Sequence, residues 1–592
     1  MRPFLLLDDA APGGTARLLS DPVESVALTH ADDIAVLWDW LRAARRRAAA
    51  EGGAVGGWLG YEAGLALEPR LRSLLPGDVP LGWFARFAGD TRLDADALAA
   101  FLGDPEGAWL SPPVPTIGAA DHRAALDRII GWIEAGDIYQ ANLTFMAEAR
   151  AFGDPRALFA ALRARAAAPY GALLFDGACW LLSLSPEHFF SAKGGTLSAR
   201  PMKGTARRLD DPAADAAAAA ALAADAKQRA ENLMIVDLIR NDLSRVAAPG
   251  SVAVPALFRV ETYPTIHQMT STVTARLAGG RDSVDALAAL FPCGSITGAP
   301  KLRAMEVIAA TEQGPRGAYC GSIGVIDGNG DASFNVAIRT LSLPAVSAPA
   351  SMRPARLGLG SGIVADSRHA DEWAECLAKG GFASMGPPRF DLIETMRFEP
   401  DHGIARLDRH LDRMKASAAA LGFAFDRHEA RNLLHAASFH RDGPARVRLV
   451  AAPSGALAVA LGPLPPAPAE PWRVALAPIR VRAEDLRRHH KTSSRRFYDE
   501  PRLALGTDEI LFVDEDGMLA EGSFTSLFVE RDGVLLTPPA SRALPGVLRA
   551  ELMDTARARE AELTPADVRD GFLLGNSLRG LVRARLAEVS DT

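Results

Sequence analysis

A proline-rich break past the middle of the chain constrains its fold more than any other feature. Gly386 is followed directly by Pro387 and Pro388. A helix cannot continue through two prolines, because each lacks an amide donor and its ring clashes with the preceding turn. At 592 residues the chain is also too long for a single hydrophobic core, since domains commonly hold about 100 to 150 residues. The sequence therefore predicts two separately packed parts.

The boundaries of these parts follow from the break. We expect an N-terminal part over 1–384, with a subdomain over about 1–115 and the catalytic motifs over 116–384. A linker over 385–389 leads to a C-terminal part over 390–592. Because the linker is short, we expect the two parts to touch.

Local patterns predict a mixed α/β (α+β) protein. Alanine-rich runs at 44–50 and 213–224 predict helices, because alanine has the highest helix propensity. Short apolar runs at 171–175 and 180–184, bounded by turn residues, predict buried strands.

Composition excludes several classes of function. A net charge of -7 provides no basic surplus, so we expect no nucleic-acid partner. The apolar run at 3–7 is too short for a signal peptide or a membrane span, and acids follow it at once. The 4 cysteines are scattered without a Cys-x-x-Cys pair, which favours a reducing cytoplasm. We expect a cytoplasmic protein without a membrane contact.

Six short motifs follow one another in the N-terminal part. They are GDIYQ at 136–140, SPE at 185–187, RPMKGT at 200–205, AENLMIVDL at 230–238, GSITGAPK at 294–301 and GSGIVADS at 360–367. In this order they resemble the chorismate-utilising enzymes, a fold of large β-sheets and helices. Members that form anthranilate usually have alanine where this chain has Lys203. The resemblance therefore implies the branch that aminates chorismate at ring C4.

The same resemblance implies a set of catalytic residues. Lys203 would attack ring C2 while Glu187 helps to expel the C4 hydroxyl, after which ammonia adds at C4 and Lys203 leaves. A lysine attacks only when neutral, so the site must lower its pKa. His267 and Thr297 would face the ring and its leaving group. Gln140 stands where water-using members carry lysine, and a neutral amide cannot activate water, which favours ammonia.

Two alternatives stay open for these residues. Lys203 could pair with a substrate carboxylate without forming a covalent bond, and His267 could be a structural histidine.

Binding residues are also implied by the resemblance. Glu231 and Glu375 would hold Mg²⁺, which prefers oxygen ligands, unless both are ordinary surface acids of helices. The carboxylates of chorismate would be bound by Tyr319, Arg339, Lys379 and the backbone N–H groups of Gly360 and Gly362. Arginine can hold a carboxylate with two parallel hydrogen bonds, and glycine lets the backbone approach closely.

The source of ammonia is expected to be another protein. The chain has no Gly-x-Cys-x-Gly turn followed by His-x-Glu, the pattern expected of a glutaminase. We therefore expect a separate glutamine amidotransferase subunit as partner, with chorismate and ammonia as substrates.

The C-terminal part carries a second set of motifs. They are FDLIETMR at 390–397, LDRHLDRM at 407–414, HKTS at 490–493, EGSFTSLF at 521–528, LPGVLR at 544–549 and NSLRG at 576–580. They resemble the class IV pyridoxal-phosphate enzymes, a two-subdomain α/β fold. Beside a chorismate-utilising part, the resemblance implies a lyase that releases pyruvate from 4-amino-4-deoxychorismate and leaves 4-aminobenzoate.

The resemblance assigns roles here as well. Lys491 would bind the aldehyde of pyridoxal 5'-phosphate and then act as the base, and Glu521 would bond the pyridine nitrogen. Arg579 would clamp a substrate carboxylate or lie at the surface. The phosphate would be held by Arg413, Ser577 and the N–H groups of Gly546, Val547 and Leu548 at a helix start.

Other interpretations of the C-terminal part remain open. Ser526 replaces the asparagine of the usual motif, and the strand that commonly precedes the Glu-Thr pair has little room. The rivals are an anthranilate-type synthase fused to a class IV aminotransferase, and a C-terminal part that only docks the amidotransferase. Relatives of this class often dimerise, so a homodimer through the C-terminal part is a further candidate.

Overall fold

The structure is a computed structural model that describes residues 1–11, 13–77, 79–262, 266–345, 352–468 and 470–587. It contains one extended sheet system in the N-terminal part and two sheets in the C-terminal part, with helices packed against all of them. The predicted mixed α and β class is confirmed.

Strands of the N-terminal part belong to one 19-stranded sheet within the described residues. They are β1 Phe4–Asp8, β2 Ala16–Leu28, β3 Ala54–Leu59, β4 Gly82–Leu93, β5 Ala108–Leu110, β6 Val114–Pro115, β7 Gln140–Gly153, β8 Tyr170–Phe175, β9 Cys179–Ser185, β10 His188–Lys193, β11 Thr196–Ala199, β12 Met202–Arg207, β13 Ala253–Thr262, β14 Ile266–Arg276, β15 Gly298–Ala299, β16 Ser322–Asp327, β17 Ala332–Asn335, β18 Thr340–Pro344 and β19 Arg353–Ile363.

Helices of the N-terminal part cover the faces of this sheet. They are α1 Asp33–Glu51, α2 Ala63–Leu67, α3 Ala95–Leu102, α4 Ala119–Glu134, α5 Pro155–Ala166, α6 Pro212–Ala224, α7 Ala226–Ser244, α8 Ser283–Leu290, α9 Lys301–Thr311 and α10 His369–Lys379, with 3-10 turns at Pro69–Leu74, Pro105–Gly107, Gly294–Ile296 and Gly381–Ala383. The alanine-rich runs predicted as helices lie in α1 and α6, and the predicted buried strands are β8 and β9.

One pair of long strands positions the motifs of the N-terminal part. β7 and β19 run antiparallel along the whole of β19, from the Arg353 and Ala151 pair to the Ile363 and Ala141 pair. Because β7 begins with Gln140 and β19 ends in the glycine motif, this register brings two motifs that are far apart in sequence to one end of the sheet. β15 pairs with the same end of β7 and adds the motif at 294–301.

The C-terminal part consists of two sheets and their helices. The strands are β20 Leu392–Glu399, β21 Gly403–Ile404, β22 Ala445–Ala451, β23 Leu457–Gly462, β24 Trp472–Pro478, β25 Glu509–Val513, β26 Leu519–Gly522, β27 Ser526–Arg531, β28 Val534–Thr537, β29 Ala558–Glu560, β30 Phe572–Asn576 and β31 Gly580–Leu586; the helices are α11 Leu407–Leu421, α12 Arg427–Ser438, α13 Leu486–His489, α14 Arg496–Leu505 and α15 Val547–Asp554, with a 3-10 turn at Pro565–Val568.

The two sheets of this part differ in topology. The smaller is antiparallel in the order β21-β20-β22-β23, and the larger has the order β26-β25-β24-β31-β30-β27-β28-β29. In the larger sheet β24 lies parallel to both β25 and β31. β20 begins at Leu392, so it forms directly after the linker.

The two parts of the chain share a hydrophobic core. Trp109 and Phe152 of the N-terminal part pack in one buried cluster with Phe390, Phe398 and other apolar residues of the smaller C-terminal sheet. The indole Nε1 of Trp109 also donates to the carbonyl of Gly386 in the linker at 3.0 Å. The parts are therefore fixed to each other.

No helix in the described ranges combines the length and the apolar character needed to cross a lipid bilayer.

Candidate active sites

The floor of the first site is a row of glycines on β19. Gly358, Gly360 and Gly362 alternate along the strand, so they share one face of the sheet. A Cβ at Gly362 would lie 2.8 Å from Nε2 of Gln140 and 3.0 Å from Nζ of Lys203. Since atoms rarely approach that closely, glycine at 362 leaves room for the ends of both the Gln140 and the Lys203 side chains beside the strand.

A backbone irregularity aims Lys203 into this site. The register of β12 against β14 shifts between Met202 and Thr205, and Gly204 has a φ of 92°. Such a bulge turns a side chain away from the regular face of a sheet. The ammonium of Lys203 lies 3.7 Å from the carboxylate of Glu231 on α7, and about a fifth of each side chain is exposed.

Glu187 is held as a buried acid next to this lysine. Its Oε1 accepts a hydrogen bond from Oγ of Ser295 at 2.7 Å. Burial raises the pKa of Glu187, although the Ser295 hydrogen bond and the charges of Lys203 and Lys379 oppose the shift. A carboxyl group in this state retains its proton to a higher pH than an exposed glutamate, as a general acid requires.

The Gln140 side chain is fully buried. Both its Oε1 and its Nε2 lack a hydrogen-bond partner among the described residues. A buried amide in that state costs about 1 to 3 kcal/mol per unmade bond. Such a group is a candidate to contact a bound molecule.

Arg339 is a second polar group without a charged partner in the part of the chain that the structure describes. It lies half-buried before β18 with a φ of 49°, and burial lowers the pKa of its guanidinium. No carboxylate of the described residues forms an ion pair with it. The Tyr319 ring packs directly on Gly358, 2.1 Å from where a Cβ would stand, which extends the same face of β19.

Each predicted metal ligand is a carboxylate that forms an ion pair with a lysine. Glu375 pairs with Lys379 at 2.7 Å, and the same ammonium donates to the carbonyl of Gly360 at 2.9 Å. Within the described ranges, no group of three or more histidine, cysteine or acidic side chains surrounds a common point. Carboxylate oxygens are nevertheless the donors that Mg²⁺ prefers, so the residues fit the ion chemically.

Glu372 is a further acid on the helix that carries Glu375, and it was not predicted as a ligand. Hydrogen bonding to Asp366 raises the pKa of Lys227, and the charges of Glu231 and Glu372 add to the effect, so both glutamates face the same lysine. Glu372 lies one turn before Glu375 on α10. That spacing places two carboxylates on one helix face, which is the signal that would have found it.

Two predicted residues have other hydrogen-bond partners. The His267 ring bonds Asp215 through Nε2 at 2.9 Å and Thr262 through Nδ1 at 3.0 Å. The Thr297 hydroxyl donates toward the carbonyls of Cys293 and Gly294, both at 3.1 Å. Contacts of these two residues with a substrate ring therefore stay predictions.

The second site is a cavity of about 1080 Å³ between the two sheets of the C-terminal part. Every residue predicted to bind the cofactor or the substrate there lines this one cavity: Arg413, Lys491, Glu521, Gly546, Val547, Leu548, Ser577 and Arg579. They come from helices α11 and α15, from strand β26 and from loops, so the fold brings distant motifs together.

Lys491 and Glu521 are both buried ionisable groups of this cavity. Burial lowers the pKa of Lys491 to about 7, and the positive charges of Arg495 and Arg413 add to the effect. The Glu521 carboxylate accepts from the Tyr498 hydroxyl at 2.5 Å and from the backbone N–H of Leu544 at 3.1 Å. Burial raises the pKa of Glu521.

A buried hydrogen-bond chain was not predicted from the motifs. Arg413 donates twice to Glu394, at 2.8 and 2.6 Å, and His410 bonds the same carboxylate at 2.6 Å. The other ring nitrogen of His410 bonds Ser577 at 2.8 Å. Although burial opposes it, Arg413 and His410 lower the pKa of Glu394 to about 2. Arg413 and Ser577 are thus oriented by a shared network.

Arg579 lies at the wall of the cavity. Its guanidinium stands over the Trp472 ring, 5.2 Å from the centroid, and burial lowers its pKa.

The usual asparagine position is taken by Ser526, whose hydroxyl would be 2.6 Å from a Cβ at Gly546. A small side chain at 526 and glycine at 546 therefore fit each other at the start of α15.

Comparison with known protein families fits this geometry. Residues 2–384 match the model described as "chorismate binding enzyme". The chain belongs to this family. Residues 391–587 of this chorismate-binding protein match a second model, described as "Amino-transferase class IV".

Individual relatives of the family cover the N-terminal part. The chain is 46% identical over 254 residues to "Aminodeoxychorismate synthase component 1" of Salmonella typhimurium, covering 43% of this chain and 54% of that protein. It is 40% identical over 292 residues to "Anthranilate synthase component 1" of Streptomyces coelicolor, covering 48% of this chain and 56% of that protein. The chain thus spans about half the length of the curated relatives it matches.

A solved structure supports the fold alone. Anthranilate synthase component I from Streptococcus pneumoniae aligns with a TM-score of 0.53 at 24% identity, over 62% of this chain and 92% of that chain.

Proposed function

We propose that the N-terminal part aminates chorismate with ammonia to 4-amino-4-deoxychorismate, and that the C-terminal part eliminates pyruvate from this product to give 4-aminobenzoate. The observation that carries the proposal is the position of the Lys203 amine, 3.0 Å from where a Cβ of Gly362 would stand and close to Gln140. A lysine amine at this position can bond a ring carbon, whereas the methyl group of an alanine cannot.

The residues of the first site support a displacement in two stages. Lys203 forms a bond from Nζ to C2, the ring double bond shifts, and the C4–O bond breaks. Glu187 gives its proton to the departing hydroxyl, which leaves as water. Ammonia then bonds at C4, the double bond shifts back, and the bond from C2 to Nζ breaks to release Lys203.

Charge in this site has to be balanced for a dianionic substrate. Arg339, which has no carboxylate partner among the described residues, is proposed to bind one carboxylate. Glu231 and Glu375, together with Glu372, would hold Mg²⁺, which would neutralise negative charge on the substrate.

The cavity of the C-terminal part fits pyridoxal 5'-phosphate. When bound, this cofactor supplies an electron sink for a carbon that loses its proton. Lys491, with a pKa of about 7, is neutral in part of the molecules at neutral pH, so it can bond an aldehyde and later hold a proton. Glu521 would bond the pyridine nitrogen, and the N–H groups at the start of α15 would bind the phosphate.

Ammonia is proposed to come from a separate glutamine amidotransferase. The phrase "component 1" in the name of the Salmonella typhimurium relative supports this partner. A cytoplasmic location and a homodimer through the C-terminal part remain part of the proposal.

Product analysis tests the proposed function. The chain is mixed with chorismate, an ammonium salt, Mg²⁺ and pyridoxal phosphate, and the aromatic products are identified by mass spectrometry and chromatography. We expect 4-aminobenzoate and pyruvate in equal amounts. The similarity to anthranilate synthase makes the ortho isomer the second candidate, and its exclusive formation would overturn the proposal.

The covalent route has its own test. Lys203→Ala should abolish formation of 4-amino-4-deoxychorismate, whereas Lys193→Ala, at an exposed position on β10, should retain it. If the Lys203→Ala variant aminates chorismate at the parental rate, then Lys203 forms no bond to the ring.

A further inference from the structure

A short segment of the N-terminal part contacts residues of the C-terminal part that precede Lys491 in sequence. It runs from the end of α3 through the 3-10 turn at Pro105–Gly107. Arg482 of the C-terminal part donates to the carbonyls of Phe101 and Leu102 at 2.8 and 3.2 Å. The same guanidinium pairs with Asp154 at 2.8 Å, so it joins two elements of the N-terminal part.

A buried arginine, Arg487, also contacts the N-terminal part and lies four residues before Lys491 in sequence. Arg487 on α13 has only 3% of its side chain exposed. It donates to Asp104 of the N-terminal part at 2.6 Å and, with two groups, to Asp485 at 3.0 and 2.7 Å. A buried guanidinium needs such partners, because leaving it without them costs several kcal/mol. Asp104 thus completes the pairing of Arg487.

A second contact lies on the other side of the lysine. Ser494 donates to Glu106 at 2.7 Å. Lys491 lies between Arg487 and Ser494 in sequence, so both flanks of the lysine are attached to the turn that contains Asp104 and Glu106.

The backbone between these attachments is also fixed. The Lys491 carbonyl accepts from the N–H of Ile393 at 3.0 Å, and the N–H of Ser493 donates to the carbonyl of Asp391 at 2.8 Å. The contacts of Arg487 and Ser494 with the N-terminal part and the backbone hydrogen bonds to Asp391 and Ile393 together hold this segment in place. The segment in turn sets where the Lys491 side chain enters the cavity.

We infer that the N-terminal part positions the cofactor lysine of the C-terminal part, with Asp104 and Glu106 as positioning residues that act through Arg487 and Ser494. This inference rests on the proposed function, because it assumes that Lys491 binds pyridoxal phosphate. It adds that the chorismate-binding part holds the second site in shape. Neither acid lines the cavity, so neither is a catalytic residue.

The test measures Lys491 itself in the cofactor-free, full-length chain. Competitive acetylation over a range of pH, followed by mass spectrometry, gives the pKa of each lysine. Asp104→Asn and Glu106→Gln should raise the pKa of Lys491, since a loosened segment admits water and burial is the main cause of the lowered value. The charges that face Lys491, from Arg413, Arg495, Glu394 and Glu521, are unchanged in both variants.

Cofactor affinity provides the second measurement. Because Asp104 and Glu106 are about half exposed, we expect each substitution to raise the dissociation constant of pyridoxal phosphate about two- to fivefold. Asp104→Glu should restore most of the affinity. Asp96→Asn removes the same charge from the exposed face of α3 and should change neither value.

Each outcome has a defined meaning. Ammonium-dependent turnover of chorismate at the parental rate shows that the variants remain folded, and Glu106→Gln serves if Asp104→Asn is unstable. Lys491 pKa values and cofactor affinities equal to those of the parent would overturn the inference. A parent chain that binds no pyridoxal phosphate and forms no Schiff base at Lys491 would instead overturn the proposed cofactor site.

Discussion

At the scale of single residues, burial prepares two groups for proton transfer in opposite senses. Glu187 is buried beside Ser295 and its pKa is raised, while Lys491 is buried near two arginines and its pKa is lowered to about 7. Burial disfavours the charged form of any group, so it raises the pKa of an acid and lowers that of an amine. The same physical cause thus shifts the pKa of the proposed acid and of the proposed base in opposite directions.

Replacement of Glu187 tests the acid. A proton held on a raised pKa is present at low pH and is lost as the pH rises through that pKa, so amination should fall on the alkaline side. Glu187→Gln should remove this dependence and slow amination by about 10²- to 10⁴-fold. Rates measured over a pH range from acid to alkaline, with ammonia kept constant, check it, with Glu148→Gln, an exposed change on β7, as the control. An unchanged pH profile would assign the proton to another group.

Replacement of Lys491 tests the base through stability. The amine has an ordinary pKa near about 10.4 when unfolded. Its pKa in the folded state is about 7. The folded state therefore loses stability as the pH falls below the pKa of the unfolded state, and the loss is complete below the pKa of the folded state. Lys491→Met should raise the free energy of unfolding of the cofactor-free chain at neutral pH, by up to about 4 kcal/mol. Denaturant unfolding measures it, and Lys415→Met on the exposed face of α11 should have little effect. A loss of stability in the Lys491→Met variant would contradict the depressed pKa.

At the scale of elements, β19 determines what the first site can hold. Its glycines leave room for side chains that arrive from β7 and β12, and the register of β7 against β19 decides which side chains those are. The strand therefore acts as a surface beside which side chains of two distant motifs lie.

A single methyl group on this strand tests the arrangement. Gly362→Ala places a Cβ within 3.0 Å of both Gln140 and Lys203, so we expect loss of most amination activity with a smaller change in stability. Gly131→Ala on α4, where a Cβ meets nothing within 4 Å, should retain activity and gain up to about 1 kcal/mol. Steady-state rates and thermal unfolding of both variants provide the measurement; full activity of the Gly362→Ala variant would refute the close approach.

The sequence predicts some of these features and not others. Glycine at 360 and 362 predicts a close approach to the backbone, but the partner of Gly362 depends on strand register, which no local pattern contains. Glu372 is recognisable from its spacing to Glu375 on one helix. The bonds from Glu394 to His410 and from His410 to Ser577 join residues of different elements, so only the folded chain reveals them.

At the scale of the whole molecule, the linker joins two parts that share buried surface. The Gly-Pro-Pro break predicts where one sheet system ends, and residues 385–389, all of them described, form no strand or helix. The sequence does not predict that Trp109 lies in the core of the C-terminal part, because that core is built from residues distant in sequence.

Removal of Trp109 should separate the unfolding of the two parts. The side chain is 6% exposed, and the loss of a buried tryptophan costs about 3 to 5 kcal/mol. We expect one thermal transition in the parent and two in Trp109→Ala, the lower one belonging to the C-terminal part, as followed by calorimetry. Trp132→Ala, within the N-terminal part, should leave a single transition. If Trp109→Ala also unfolds in a single transition, other contacts couple the parts.

The shared core also bears on how such a chain is made. When the ribosome releases the N-terminal part, Trp109 and Phe152 still face water, and they stay uncovered until the remaining residues have been synthesised. If the two parts were made as separate chains, divided at the Gly-Pro-Pro break, each would expose an apolar patch. Within one chain, each part covers apolar surface of the other.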